Sequence, residues 1–369
     1  MAGMSASLPA SSSPPPNPSK AAPLATRFTQ RFGLHAPIAL APMALASGGA
    51  LAAACAKAGA LGLVGGGYGE LAWTQREWAL ALQLTPDAAS RHRLGIGFIT
   101  WKLDEDASAL DWVLDRAPDE LPRALMLSFG DAARYTPRIA RAGIPLICQV
   151  QRIEQLRAVV DAGAAVVVVQ GGEAGGHGLN SLEARGTFTL VPEAADWLAA
   201  HAPDTLLLAA GGVADGRTLA AALVLGADGA LVGSRLWATR ESLAAQGAKE
   251  SAVATSGDGT ARSSVFDILR RKSWPAPYDF RAVRNALHRQ WEGRIDELRA
   301  DPDAARADYD AGVAAGDFTR AHATVGEATG LIADVPQAGE VVVRMVQEAA
   351  RCAPAWPSSA ACTSITMNR

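Results

Sequence analysis

Residues 166–180 read VVVVQGGEAGGHGLN. Four consecutive valines run into a segment holding five glycines, one acid and one histidine. An unbroken β-branched run suits a strand buried on both faces of a parallel sheet. Gln170 marks where that strand meets a polar edge. Glycines beyond it let the backbone pass close to another flat surface.

Seven further runs share the pattern. They are IALAPM (38–43), LGLVGG (61–66), LGIGFIT (94–100), ALMLSF (124–129), PLICQV (145–150), LLLAAGG (206–212) and GALVGS (229–234), with AVVVVQ (165–170) sixth in order. Helical segments such as RIEQLRAVVDAGA and DGRTLAAALVLGA lie between them, several closing on Gly just before the next strand. Eight apolar strands alternating with helices predict an α/β fold, a (β/α)8 TIM barrel. An open doubly wound sheet is the alternative. It should show a dinucleotide fingerprint after its first strand; GYGELA (67–72) matches G-x-G-x-x-A only after the second, and no acid ends the strand that follows.

The expected organisation is a disordered tail over 1–25, a barrel core over 26–240, a charged, aromatic and helix-rich insertion over 241–325, a closing helical region over 326–351, and a loose tail over 352–369. The insertion after strand eight is expected to act as a lid or as a contact in a homo-oligomer. A formal net charge of −3 gives no basic excess for nucleic acid or anionic membrane. No apolar run reaches the roughly 20 residues that span a bilayer. Cys55, Cys148, Cys352 and Cys362 form no C-x-x-C pair and no zinc spacing, which fits a reduced, cytoplasmic protein.

Barrel chemistry sits at the carboxyl ends of the strands. Gly211-Gly212 and Gly233-Ser234 end strands seven and eight, the pair of loops that commonly holds phosphate; a helix opening near Asp215 would add its N-terminus. The rim carries no carboxylate cluster for a metal and no Lys on strand six, and Lys102 reads as part of a polar loop. With so little reactive protein chemistry, a cofactor is expected, and flavin mononucleotide (FMN) fits: phosphate on loops seven and eight, a flat ring across glycine-rich strand ends. Gln170 offers an amide, and Gly171, Gly172, Gly175 and Gly176 allow close approach. His177 is the one rim histidine able to move a proton near neutral pH. Glu173 is a weaker candidate, being unfavourable beside an electron-rich flavin.

Four stretches carry a resemblance: TRFTQRFGLHAPIALAPM (26–43), QGGEAGGHG (170–178), the 209–242 segment from AAGGVADGRT to WATRES, and GEATGLIADVPQAGEVV (326–342). They resemble the nitronate monooxygenase family, formerly called 2-nitropropane dioxygenases. That family sits in a group of FMN barrels which includes FMN-dependent enoyl-acyl-carrier-protein reductases and some NADH:quinone reductases. The resemblance implies FMN contacts at Pro42, Met43, Ala44, Gln170, Gly175, Gly211 and Gly212, completed by Leu231, Val232, Gly233 and Ser234, with Gly176 beside them. It implies a catalytic role for His177. Gly97 stands where many members have an Asn touching the flavin, so that amide contact is missing here, or Thr100 or a backbone group supplies it. The implied reaction is oxidative denitrification of alkyl nitronates with O2, giving a carbonyl compound and nitrite. The alternative is an NAD(P)H-dependent FMN reductase acting on an enoyl thioester or a quinone. An inosine-monophosphate-dehydrogenase-like barrel would need a Cys in the loop after strand six, and none is there.

Overall fold

The computed structural model describes residues 24–352, so the predicted tails and Cys362 lie almost wholly outside the described residues. Eight parallel strands form the predicted barrel: β1 (Ile38–Leu40), β2 (Gly62–Gly67), β3 (Leu94–Ile99), β4 (Leu125–Ser128), β5 (Leu146–Val150), β6 (Val166–Gln170), β8 (Leu206–Ala210) and β9 (Gly229–Val232). The ladder runs β1-β9-β8-β6-β5-β4-β3-β2. The ring closes through an Ala39–Leu61 bridge, with Leu40 N–H donating to Leu61 O at 2.8 Å.

Alternate residues of these strands point inward. Leu61, Leu63, Met126, Ile147, Val168, Leu208 and Leu231 fill the barrel, and Phe28 and Phe32 from the short helix Arg27–Phe32 pack against the same cluster. The other face of each strand, including Val167, Val169, Leu207 and Val232, packs under the surrounding helices. Burial on both faces is why the strands read as continuous apolar runs. The closing helix, Ala338–Cys352, packs on helices Gly49–Lys57 and Gly216–Val224.

The insertion differs from its prediction. It holds the expected helices, but also β10 (Thr260–Ser263) and β11 (Tyr278–Val283). These join β7 (Gly176–Leu179), within the glycine segment after β6, in an antiparallel sheet ordered β10-β11-β7. Two apolar clusters hold it together, one around Trp237, Val283 and Val325, the other around Val265, Phe266, Leu269 and Tyr309. The insertion is thus stitched to the barrel rim through β7.

Candidate active site

The glycine segment is an ordered strand edge. His177 pairs with Phe280 and Gly176 with Arg281 across β7 and β11. The Arg262 guanidinium, 8% exposed, donates to the carbonyls of Gly176, Asp279 and Ala174 at 3.0, 2.7 and 2.6 Å, and to Gly172 O at 3.4 Å. Burial depresses its pKa to about 9. Arg281 Nε donates to Gly172 O at 3.2 Å. At Gly175 a side chain has no room, because a Cβ would lie 2.5 Å from Gly326 N and from Val325 C.

His177 is 8% exposed. Its Nε2 lies 3.0 Å from both carboxylate oxygens of Asp267, which the short helix Val265–Leu269 places there. Trp274 stacks flat on the imidazole, with centroids 3.5 Å apart and planes 12° apart, and Phe280 packs at 4.8 Å. Trp274 also meets Tyr68, Trp101, Phe129 and Tyr278 edge-on, and its indole N–H donates to the Tyr68 hydroxyl at 3.1 Å. Burial is the largest influence on His177 and lowers its pKa; Asp267 opposes that, and the Arg270 and Arg262 charges add to it. The imidazole is therefore neutral near pH 7, close to a carboxylate and inside an aromatic wall. Phe129 takes a left-handed φ of 63°, a strained conformation of the kind that clusters at functional sites.

Gln170 has turned to the same place. Its Nε2 donates to His177 O at 3.1 Å, and its Oε1 accepts from Gln149 and Gln151 at 2.9 and 3.1 Å. Ser128 donates to Gln149 at 3.3 Å. A row of polar side chains thus crosses the ends of β4, β5 and β6.

Loops after β8 and β9 form a second polar surface. Gly211 and Gly212 both take positive φ, 95° and 80°, which only glycine adopts without strain. A Cβ at Gly212 would meet nothing within 4 Å, and one at Gly233 nothing nearer than 3.8 Å. The backbone N–H groups of Gly212, Val213 and Ser234 have no protein acceptor among the described residues. Open space beside free donors suits a phosphate. The helix Gly216–Val224, however, does not contribute as predicted. Asp215 accepts from Thr218 N at 2.9 Å and Glu348 from Gly216 N at 3.0 Å, so two carboxylates already hold its N-terminus. The short helix Ser234–Trp237 begins at Gly233 with no side-chain cap.

The segment Pro42-Met43-Ala44 folds over the barrel mouth, and the glycines of β2 and β3 make room for it. A Cβ at Gly65 would strike Met43 O, one at Gly67 would lie 2.7 Å from the Ala44 Cβ, and one at Gly97 would lie 2.5 Å from the Pro42 ring. What the GYGELA glycines and Gly97 approach is the protein's own chain. Thr100 is fully buried, its hydroxyl without a partner. Leu231 faces the barrel interior, whereas the Val232 side chain points to the helical shell, leaving only its backbone for the mouth. Glu173 is spoken for: it accepts from Thr187 N and Oγ1 at 2.8 and 2.9 Å, capping helix Thr187–His201. Lys102 pairs with Glu105 at 2.6 Å over the Trp101 ring, as a polar loop would.

Known proteins align with this arrangement. The profile of the nitronate monooxygenase family matches residues 107–348. A nitronate monooxygenase of Neurospora crassa is 30% identical, the match covering 84% of this chain and 88% of that protein. The chain belongs to the nitronate monooxygenase family. A second member, npaC of Metarhizium robertsii, is 34% identical over 70% of this chain and 73% of its own. Among solved structures, nitroalkane oxidase of Streptomyces ansochromogenes superposes with a TM-score of 0.71 at 25% identity, covering 89% of this chain and 99% of that one. FabK of Thermotoga maritima gives 0.73 at 25% identity, covering 90% and 98%. The protein is accordingly a flavin-dependent oxidoreductase on a TIM barrel.

The structure brings His177 and Gln170, chosen by sequence position, together at the end of β6, and sets the glycine pairs on the loops after β8 and β9. Asp267, Trp274 and Arg262, which contact His177 or its strand, carry no signal in the sequence. They lie some 90 residues away in a segment with no regular spacing, and only the pairing of β7 with β11 brings them in.

Proposed function

We propose that the protein carries out the FMN-dependent oxidation of alkyl nitronates, or of the nitroalkanes that give them, to carbonyl compounds and nitrite with O2. The observation behind this reading is His177, buried and hydrogen-bonded to Asp267 beside glycine-lined strand ends. A bound FMN would supply the electron acceptor. Gly212, Val213 and Ser234 N–H groups would hold its phosphate, and Gln170, with Pro42, Met43 and Ala44, would border its ring. Gly97, packed on Pro42, would reach it through backbone alone, and Gly175, Gly176 and Gly211 would shape the approach.

His177 serves the substrate. As neutral imidazole it accepts the α-proton of a nitroalkane; once protonated it offers a hydrogen bond to an anionic nitro group. The Trp274 aromatic wall keeps water from that ring, which strengthens both interactions. The test is direct. The purified protein should be yellow, release FMN and not FAD on denaturation, and yield nitrite from propyl-2-nitronate in air. A colourless protein that binds no added FMN would refute the cofactor; a yellow protein yielding no nitrite would refute the substrate.

A further inference from the structure

We propose that Asp267 is the positioning residue for His177, holding it as the Nε2–H tautomer so that Nδ1 is the ring atom that exchanges a proton with the substrate. This rests on the reading that His177 handles the substrate's proton.

Asp267 is 5% exposed and sits between Phe266 and Ile268 on a helix whose Val265, Phe266 and Leu269 are buried in the insertion core. Its placement is therefore set by packing and not by a flexible loop. Both oxygens lie 3.0 Å from His177 Nε2. A carboxylate can only accept, and a neutral imidazole has a single N–H, so that hydrogen belongs on Nε2. Nδ1 then carries the lone pair, and no protein group among the described residues bonds to it. Trp274 lies flat against one ring face and Phe280 packs at 52°, so the ring cannot turn to exchange its nitrogens.

The charged and titratable groups around the pair come from every packed element. Arg270 Nη1 lies 3.9 Å from Asp267 Oδ1 and makes no hydrogen bond. Arg262 comes from β10 and Asp279 from β11. Lys272 and Tyr68 flank Trp274, with the Lys272 ammonium 4.2 Å from the Tyr68 ring centroid. Arg270 and Arg262 place positive charge beside the pair. In the proton transfer from a nitroalkane, the α C–H bond breaks and its electron pair spreads onto the nitro oxygens. The proton bonds to Nδ1, and the resulting imidazolium shares its charge with Asp267 through Nε2–H. A later transfer from Nδ1 to water restores the base.

Long-range 15N–1H NMR of the histidine-labelled holoprotein reads the tautomer. Wild type should show His177 protonated at Nε2, and Asp267→Asn should lose or invert that state because an amide can also donate. A wild-type Nδ1–H signal would overturn the proposal. That spectrum needs no turnover, so it judges Asp267 whether or not the nitronate reading survives. Kinetics provide the second arm. Asp267→Asn should lower kcat on nitroethane by about 10²-fold or more with little change in KM. It should cost less on preformed ethyl nitronate, retain bound flavin, and move the acid limb of the rate profile to lower pH, because Asp267 raises the His177 pKa. Asp267→Glu should recover part of the rate. Equal losses on nitroethane and nitronate, or a lowered Tm with kcat intact, would show a merely structural role and overturn it.

Discussion

The barrel and the insertion divide the site between them. The barrel contributes free backbone N–H groups at the glycine turns after β8 and β9, and a short row of polar side chains across the ends of β4 to β6. The insertion contributes side chains: Asp267, Trp274, Phe280 and Arg262, all converging on the one segment, β7, that leaves the barrel. The contrast teaches that the proposed cofactor cradle and the proposed proton-handling group have separate structural support. Damage to one should spare the other.

The largest expected effect is on chemistry alone. His177→Ala should lower kcat/KM for nitroethane by about 10²-fold or more, while flavin per protein stays at the wild-type ratio. Loss of flavin along with rate would break the division.

Next comes the seam. Arg262→Met leaves the carbonyls of Ala174, Gly176 and Asp279 without their donor, and should cost about 2–3 kcal/mol in urea unfolding. Turnover should fall with stability because β7 carries His177. Full activity in this variant would show that the histidine does not depend on the insertion.

A barrel-side change should do the reverse. Gly212→Ala meets open space and is strained only by its φ of 80°. We expect FMN to bind roughly 10-fold more weakly, about 1.4 kcal/mol, with the His177–Asp267 contact intact. Titration of the apoprotein by flavin fluorescence measures it.

A pH dependence of stability is centred on the insertion and on the strand edge beside it. His322, whose Nδ1 lies 2.7 Å from the Tyr309 hydroxyl, is depressed to about 3 by burial. His288 and His177 are lowered by burial too. Between the folded pKa and the unfolded one near 6.5, the unfolded chain binds a proton that the folded chain refuses. Stability is thus whole above about pH 6.5 and falls as pH drops, on the order of 1 kcal/mol per pH unit for each such group. His322→Gln should flatten that slope in thermal unfolding at pH 4–6.

How much of this was legible follows the same division. Strands buried on both faces betray themselves as apolar runs, and barrel geometry places function at their ends, so Gln170, His177, Gly211-Gly212 and Gly233-Ser234 could be chosen by position. The pattern failed where partners are distant. Gly176–Leu179 has poor strand propensity and becomes β7 only by pairing with β11. Asp267 in SSVFDILRR reads as an ordinary acid on a short helix. Nothing near Gly216 reveals that Glu348, 132 residues on, occupies the helix end expected to receive phosphate.

The most direct measurement mixes the FMN-loaded protein anaerobically with propyl-2-nitronate and, separately, with NADH, while the flavin absorbance is followed. The account predicts that nitronate changes the flavin spectrum within a turnover, that admitting O2 restores it with release of nitrite, and that NADH acts slowly or not at all. Rapid bleaching by NADH, with nitronate inert, would contradict it and favour a pyridine-nucleotide-dependent reductase on the same barrel.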